Sequence, residues 1–133
     1  MKKSFLLCII IGVLSSCEED ENPINSSEPE LVSQWELVEV YADPGSGQGS
    51  FEPVNSDKTI SLFDNGTLIS NGDICSMATE ANSQTSGIYT LADSTFNSQD
   101  CNNNHNYQFK LNGDTMVIYY PCIEPCQAKY KKV

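Results

Sequence analysis

Two short turns, Asp64-Asn65-Gly66 and Asn112-Gly113-Asp114, constrain this chain more than any other feature. Asn and Gly tolerate the positive φ that tight hairpins require, so each string predicts an antiparallel hairpin between the β-rich runs beside it. Thr59 to Phe63 and Thr67 to Ser70 flank the first turn; Tyr107 to Leu111 and Thr115 to Tyr120 flank the second. Tyr107, Phe109 and Leu111 alternate with Gln108 and Lys110, the period of a strand with one buried face. Gly87 to Leu91 and Ser94 to Asn97, joined at Ala92-Asp93, supply another pair. Leu31 to Tyr41 opens the series, with Trp35, Leu37, Glu39 and Tyr41 expected on one face and Glu36, Val38 and Val40 on the other. Gln127 to Val133 closes it. No stretch of ten residues carries a helical period.

Eight short strands in sequence predict an all-β domain over residues 31–133: a small eight-stranded antiparallel up-and-down barrel. Closure removes the two sheet edges that otherwise invite aggregation. The tight turns 64–66, 92–93 and 112–114 then fall at one end. The long connections 42–58, 71–86, 98–106 and 121–126 fall at the other. Residues 42–58 read as a loop because Asp43-Pro44-Gly45-Ser46-Gly47-Gln48-Gly49-Ser50 opens them.

The first thirty residues belong to neither face of a barrel. Lys2 and Lys3 precede an apolar run from Phe5 to Leu14, the pattern of a secretory signal and too short to span a bilayer as a helix. Leu14-Ser15-Ser16-Cys17 resembles a bacterial lipobox, in which the cysteine receives diacylglycerol before cleavage. The expected organisation is therefore a signal peptide over 1–16, lipidated Cys17 heading an acidic flexible tether over 17–30, and the barrel domain from 31. Glu18, Glu19, Asp20 and Glu21 begin a tether with one apolar residue, Ile24, too little to offset the entropy of ordering it.

Loss of Lys2 and Lys3 leaves five of seven lysines against eighteen acidic residues, a net charge of −13, and the chain has no arginine. Nucleic-acid binding needs clustered Lys and Arg on phosphates and is excluded as an expectation. Bidentate clamping of phosphate or carboxylate needs Arg and is excluded with it. Setting aside Cys8 of the apolar run and Cys17, four cysteines remain: Cys75, Cys101, Cys122 and Cys126. An even set in a small exported domain predicts two disulfides. Each cysteine flanks a strand at the long-connection end. Cys75–Cys101 with Cys122–Cys126 is the preferred pairing, and Cys101–Cys122 competes because the 112–114 hairpin brings those positions together.

Ser33-Gln34-Trp35-Glu36-Leu37-Val38, the Asp43-Pro44-Gly45 loop, Asp64-Asn65-Gly66-Thr67 and Cys122-Ile123-Glu124-Pro125-Cys126-Gln127-Ala128-Lys129-Tyr130 resemble the lipocalin-like lipoproteins of Bacteroidetes. The resemblance covers residues 31–133. It implies an eight-stranded calyx, Trp35 closing one end of the barrel, and a small apolar ligand at the other. Ser33 stands where such a motif carries glycine, and Lys129, Lys131 or Lys132 would have to replace an arginine packed on the tryptophan. An acidic run behind the lipidated cysteine resembles the surface-export signal of the same group. It implies a surface-exposed outer-membrane lipoprotein, with a periplasm-facing one as the alternative.

Two functions from different classes follow. In the first, an interior lined by Leu37, Ile60, Leu62, Leu68, Phe109, Val117 and Tyr119 binds a small apolar molecule. In the second, those side chains fill a narrow barrel, and the stapled loops, with Tyr41, Phe51, Tyr119, Tyr120 and Asn102 to Asn106, meet a surface protein or glycan. The expectation is a monomer that touches the membrane only through its N-terminal lipid. No enzyme is expected: His105 is the lone histidine, and Asp100 and Asp114 have no partner for acid–base work. No cofactor or metal is expected, since Asp43 with Asp57, or Asp73 with Glu80, lacks calcium-loop spacing.

Overall fold

A computed structural model describes residues 29–43 and 45–133. The expected signal peptide, Cys17 and the tether as far as residue 28 lie outside the described residues, as does Pro44. The described residues hold nine strands: β1 (Leu31–Ala42), β2 (Ser50–Pro53), β3 (Thr59–Phe63), β4 (Thr67–Ser70), β5 (Thr85–Thr90), β6 (Thr95–Asn97), β7 (Tyr107–Asn112), β8 (Thr115–Tyr120) and β9 (Cys126–Lys132). They form one antiparallel sheet in the order β2-β1-β3-β4-β5-β6-β7-β8-β9, and β1 pairs with β9. The fold is all-β: a closed eight-stranded barrel plus one extra strand.

The extra strand corrects the reading of 42–58 as a loop throughout. β1 is longer than its neighbour. Residues Leu31 to Glu36 pair with β3, and Glu39 to Ala42 run past it to pair with β2. β2 and β3 are thus two pieces of one descending edge, interrupted at 54–58. Backbone bonds bridge the break, from Val54 N to Val38 O (3.0 Å) and from Leu37 N to Lys58 O (2.9 Å). Without β2 the upper half of β1 would present unpaired backbone groups. Phe51 secures it: its ring meets Tyr41 edge-on at 5.4 Å. The Lys129 ammonium, paired with Glu39, sits 3.9 Å above its centroid.

β1 also carries a bulge. Leu37 faces Tyr130 across the β9 seam, and the next pair is Glu39 with Lys129. Val38 is the extra residue, and it reverses the alternation. Trp35 and Leu37 are buried, Val40 packs on the core, and Glu39 and Tyr41 join the outer cluster at Phe51. The expectation that Trp35, Leu37, Glu39 and Tyr41 share a face fails at this residue.

The hairpins form as their turn residues require, with Gly66 at φ 82° and Gly113 at φ 58°. Asp64 accepts from the Glu30 N–H (2.9 Å) and its own N–H donates to Glu30 O (2.9 Å), so the chain enters the barrel beside the first tight turn. Lys132 N donates to Asp114 O (2.9 Å), which brings the chain's last strand to the same end. Inward residues from every strand of the closed barrel meet in one core. Trp35 is buried in it, and its indole N–H donates to Ser33 Oγ (2.9 Å); among the described residues the ammonium found over a ring is that of Lys129, over Phe51 and not Trp35.

Candidate interaction surface at the long-loop end

Pairing of β7 with β8 decides what faces the interior. Asn112 lies opposite Thr115, which sets Met116 against Leu111, Ile118 against Phe109 and Tyr119 against Gln108. Directly opposed residues share a face. Met116, Ile118 and Tyr120 therefore point inward and are buried, whereas Val117 is half-buried and Tyr119 is exposed on the outside. This corrects three expectations. Val117 and Tyr119 do not line the interior, and Tyr120 is not on the surface. Apolar residues occupy both faces of β8, so its composition hides its parity, and only its partner strand reveals it. Leu111 keeps inward parity but sits at the rim, 40% exposed.

Leu37, Ile60, Leu62, Leu68 and Phe109 do point inward and are buried. The last four, with Tyr89, Phe96, Met116 and Ile118, surround a void in which the centre of a water-sized sphere has about 10 Å³ to move. That is room for about one water, far below the ~300 Å³ at which ligand pockets begin. Aromatic rings take up the space nearer the long loops. Phe96 stacks on Tyr107 at 4.9 Å, and Tyr107 meets Tyr120 edge-on at 5.9 Å. The Tyr120 and Tyr130 hydroxyls are buried among these rings beside each other, and neither has a partner in good hydrogen-bond geometry. Burial pushes the ionisation of both phenols upward.

The 71–84 connection closes the mouth. Ile74 is fully buried beneath it. Asn71 accepts from Thr59 N (2.7 Å) and donates to Asp57 O (2.8 Å), anchoring the connection to β3. Thr85 Oγ1 donates to Gly72 O (2.6 Å) and accepts from Ile74 N (3.1 Å). Lys58 makes the largest set of hydrogen bonds to it, and nothing in Asp57-Lys58-Thr59 singles it out in the sequence. It shares the inward parity of Ile60 and is fully buried. Its ammonium donates to the carbonyls of Asp73 and Ala78 (2.7 Å to Ala78), with Ser76 O at 3.4 Å. Burial lowers its pKa to about 8, against the opposing pull of the Asp73 and Glu80 carboxylates.

Two disulfides complete this end, Cys75–Cys101 and Cys122–Cys126, the preferred pairing. The first ties the plug over the mouth to the 98–106 connection. Ser86 N also donates to Asp100 Oδ2 (2.7 Å), fixing the same connection to β5. The second closes a loop whose tip, Ile123, is fully exposed at 103% of its reference area. A β-carbon on Gly45 would lie 3.8 Å from Glu124 Oε1, so the 43–49 turn neighbours that loop. Within the turn, Asp43 Oδ1 accepts from the N–H groups of Gly45, Ser46 and Gly47. Nearby on the outer surface, His105, Asn106, Gln108, Tyr119 and Pro121 border a shallow depression. Tyr41 and Phe51, expected at a contact surface, are instead engaged in holding β2.

Of the paired carboxylates considered for a cation, Asp43 is occupied by its turn. Asp73 accepts from Cys75 N (2.8 Å) and Ser76 Oγ (2.6 Å). Among the described residues no three His, Cys, Asp or Glu side chains gather as metal ligands. No protein-family model, curated protein or solved structure matches this chain.

Proposed function

We propose that this chain is an anchored display module: a structurally filled barrel, held to a membrane through lipidated Cys17, that meets a partner with its stapled long-loop end. One observation carries the reading. A fully exposed isoleucine stands at the tip of a disulfide-closed loop, above a barrel whose interior has room for about one water. An exposed apolar side chain on a pre-ordered loop is what contact with a partner uses, because ordering has already been done before association. All four cysteines of the domain serve this end, which further supports the reading. The lipobox-like Leu14-Ser15-Ser16-Cys17 and the resemblance to lipocalin-like lipoproteins support the anchor and a place at the outer membrane. The calyx reading of that resemblance would require the interior to widen by ~300 Å³ at the expense of packed aromatic rings.

Two measurements on the intact protein test the proposal. An apolar fluorescent dye titrated into the protein shows no saturable binding; one-to-one binding displaced by a fatty acid would overturn the filled barrel. In the producing cell, a photo-crosslinking residue at position 123 captures a partner that the same residue at position 91 does not, and Ile123→Asp abolishes function. Equal capture at both positions, or none at 123, would overturn the loop-end assignment.

A further inference from the structure

The end of the barrel opposite the stapled loops has its own surface character. Of the eight large hydrophobic residues exposed among the described residues, five lie there: Leu31, Val32, Leu91, Leu111 and Val133. Leu31 and Val32 stand at a shift in the β1–β3 register, with Leu31 opposite Phe63 and Ser33 opposite Leu62. Both are about half exposed (51% and 54%) beside the first tight turn. Leu91 lies in the β5–β6 turn, Leu111 borders the β7–β8 turn, and Val133 follows β9. The apolar side chains are thus spread around the rim.

The lysines divide in the same way. Lys58 is buried in its carbonyl cage and Lys129 is paired with Glu39. The three exposed lysines, Lys110, Lys131 and Lys132, all lie in the tight-turn half. Glu30, Glu36, Asp64, Asp93 and Asp114 share that half, so three lysines face five carboxylates there, a net charge of −2. The opposite end exposes Glu52, Asp57, Glu80, Asp100 and Glu124 with no exposed lysine among the described residues.

We infer that the tight-turn rim seats on the headgroup boundary of a phospholipid bilayer, with Leu31, Val32, Leu91, Leu111 and Val133 as its apolar contacts and the three lysines reaching the headgroups beside them. The inference rests on the reading of Cys17 as a lipid anchor. Residue 30 enters the barrel at this rim, bonded to Asp64. Twelve residue steps separate Cys17 from Pro29, so the chain spans at most about 40 Å between lipid and barrel. Such a short connection makes contact with the bilayer intramolecular, and a rim too weak to bind membranes alone is sufficient under that condition. A small negative net charge fits zwitterionic headgroups rather than attraction to an anionic surface. Seating this rim directs Ile123 and the stapled loops away from the bilayer.

The test uses the full lipidated chain in phosphatidylcholine vesicles whose acyl chains carry bromine, a short-range quencher of tryptophan. Leu91→Trp and Val32→Trp place reporters at the rim and Ile123→Trp places one at the far end, with buried Trp35 a constant background. Rim reporters are expected to lose at least about twofold more emission than the far reporter, as shallow insertion of the rim demands. If the chain fails to float with the vesicles, the anchor falls and the seat with it. If it floats but the rim reporters are quenched no more than Ile123→Trp, the seat alone is overturned.

Discussion

Lys58→Met is the most informative single substitution. It removes the one buried ammonium among the described residues and leaves the carbonyls of Asp73 and Ala78 without their donor, with Ser76 O a weaker third. Methionine is similar in length and apolar, so the change isolates the polar contacts. At pH 10, where the folded amine is neutral, loss of its two short hydrogen bonds and of the carbonyls' donor sets the cost at about 2 kcal/mol; near pH 7 the cost of burying the ammonium, the same cost that lowers its pKa, offsets most of it. A pH signature separates this from ordinary core damage. The folded lysine titrates at about 8 and the unfolded one at 10.5. Between those values the unfolded chain holds a proton that the folded chain has released, so stability rises with pH. From pH 7 to pH 10 the rise is about 2 kcal/mol. The neutral amine still donates two hydrogens, enough for its two short bonds. Above pH 10 the trend turns over. Tyr120 and Tyr130 hold their protons by burial while the unfolded phenols ionise, so stability falls there. Urea unfolding with disulfides intact, followed from pH 7 to pH 11, measures both effects. Lys58→Met is expected to lower the midpoint at pH 10 and to abolish the rise between pH 7 and 10. A variant within about 0.5 kcal/mol of the parent at pH 10, the scatter of an ordinary surface change, or one that keeps the rise, refutes the carbonyl cage as the attachment of the plug.

Other expectations follow from the same geometry. Ile118→Ala should cost about 3 kcal/mol as a core truncation, and Val117→Ala less than about 1; equal costs by thermal unfolding would contradict the parity of β8. Gly87→Ala should cost about 2 kcal/mol, because its β-carbon would come 2.5 Å from the Asn97 carbonyl oxygen on β6. Gly113→Ala meets nothing within 4 Å, so only its φ of +58° resists the change, at about 1 kcal/mol; a larger loss at 113 than at 87 would reverse that ranking. Replacing Cys75 and Cys101 by serine should cost more than replacing Cys122 and Cys126. Chain entropy for separations of 26 and 4 residues gives about 3.5 against about 2 kcal/mol. The reverse order in urea midpoints would mean that the first bridge adds little to the plug.

The hairpins were legible because their determinants are local. Asn-Gly strings demand positive φ wherever they occur, and Gly66 and Gly113 adopt it. The disulfides were legible up to their pairing, since strand order alone carries each cysteine to one end of the barrel. β2 was hidden in a Gly- and Ser-rich stretch because its stability comes from Tyr41, Lys129 and Glu39, none of them its neighbours in sequence. The bulge at Val38 was hidden for a related reason: it exists only in the register of β1 against β9. Lys58 was the largest omission from the candidate site. A lysine beside an aspartate in a polar stretch has no local mark that distinguishes a solvated side chain from one aimed at three carbonyls.

The amino-acid sequence by itself determined the all-β class, the order of the barrel's strands, and the end at which each turn and cysteine falls. These depend on turn chemistry and on counting antiparallel steps. Tertiary structure alone decided which face of β8 is inside, that a ninth strand completes the edge of β1, and that rings and a lysine-held plug occupy the barrel. Each of these is set by what a side chain meets across the sheet, and a residue's own type and neighbours do not carry that information.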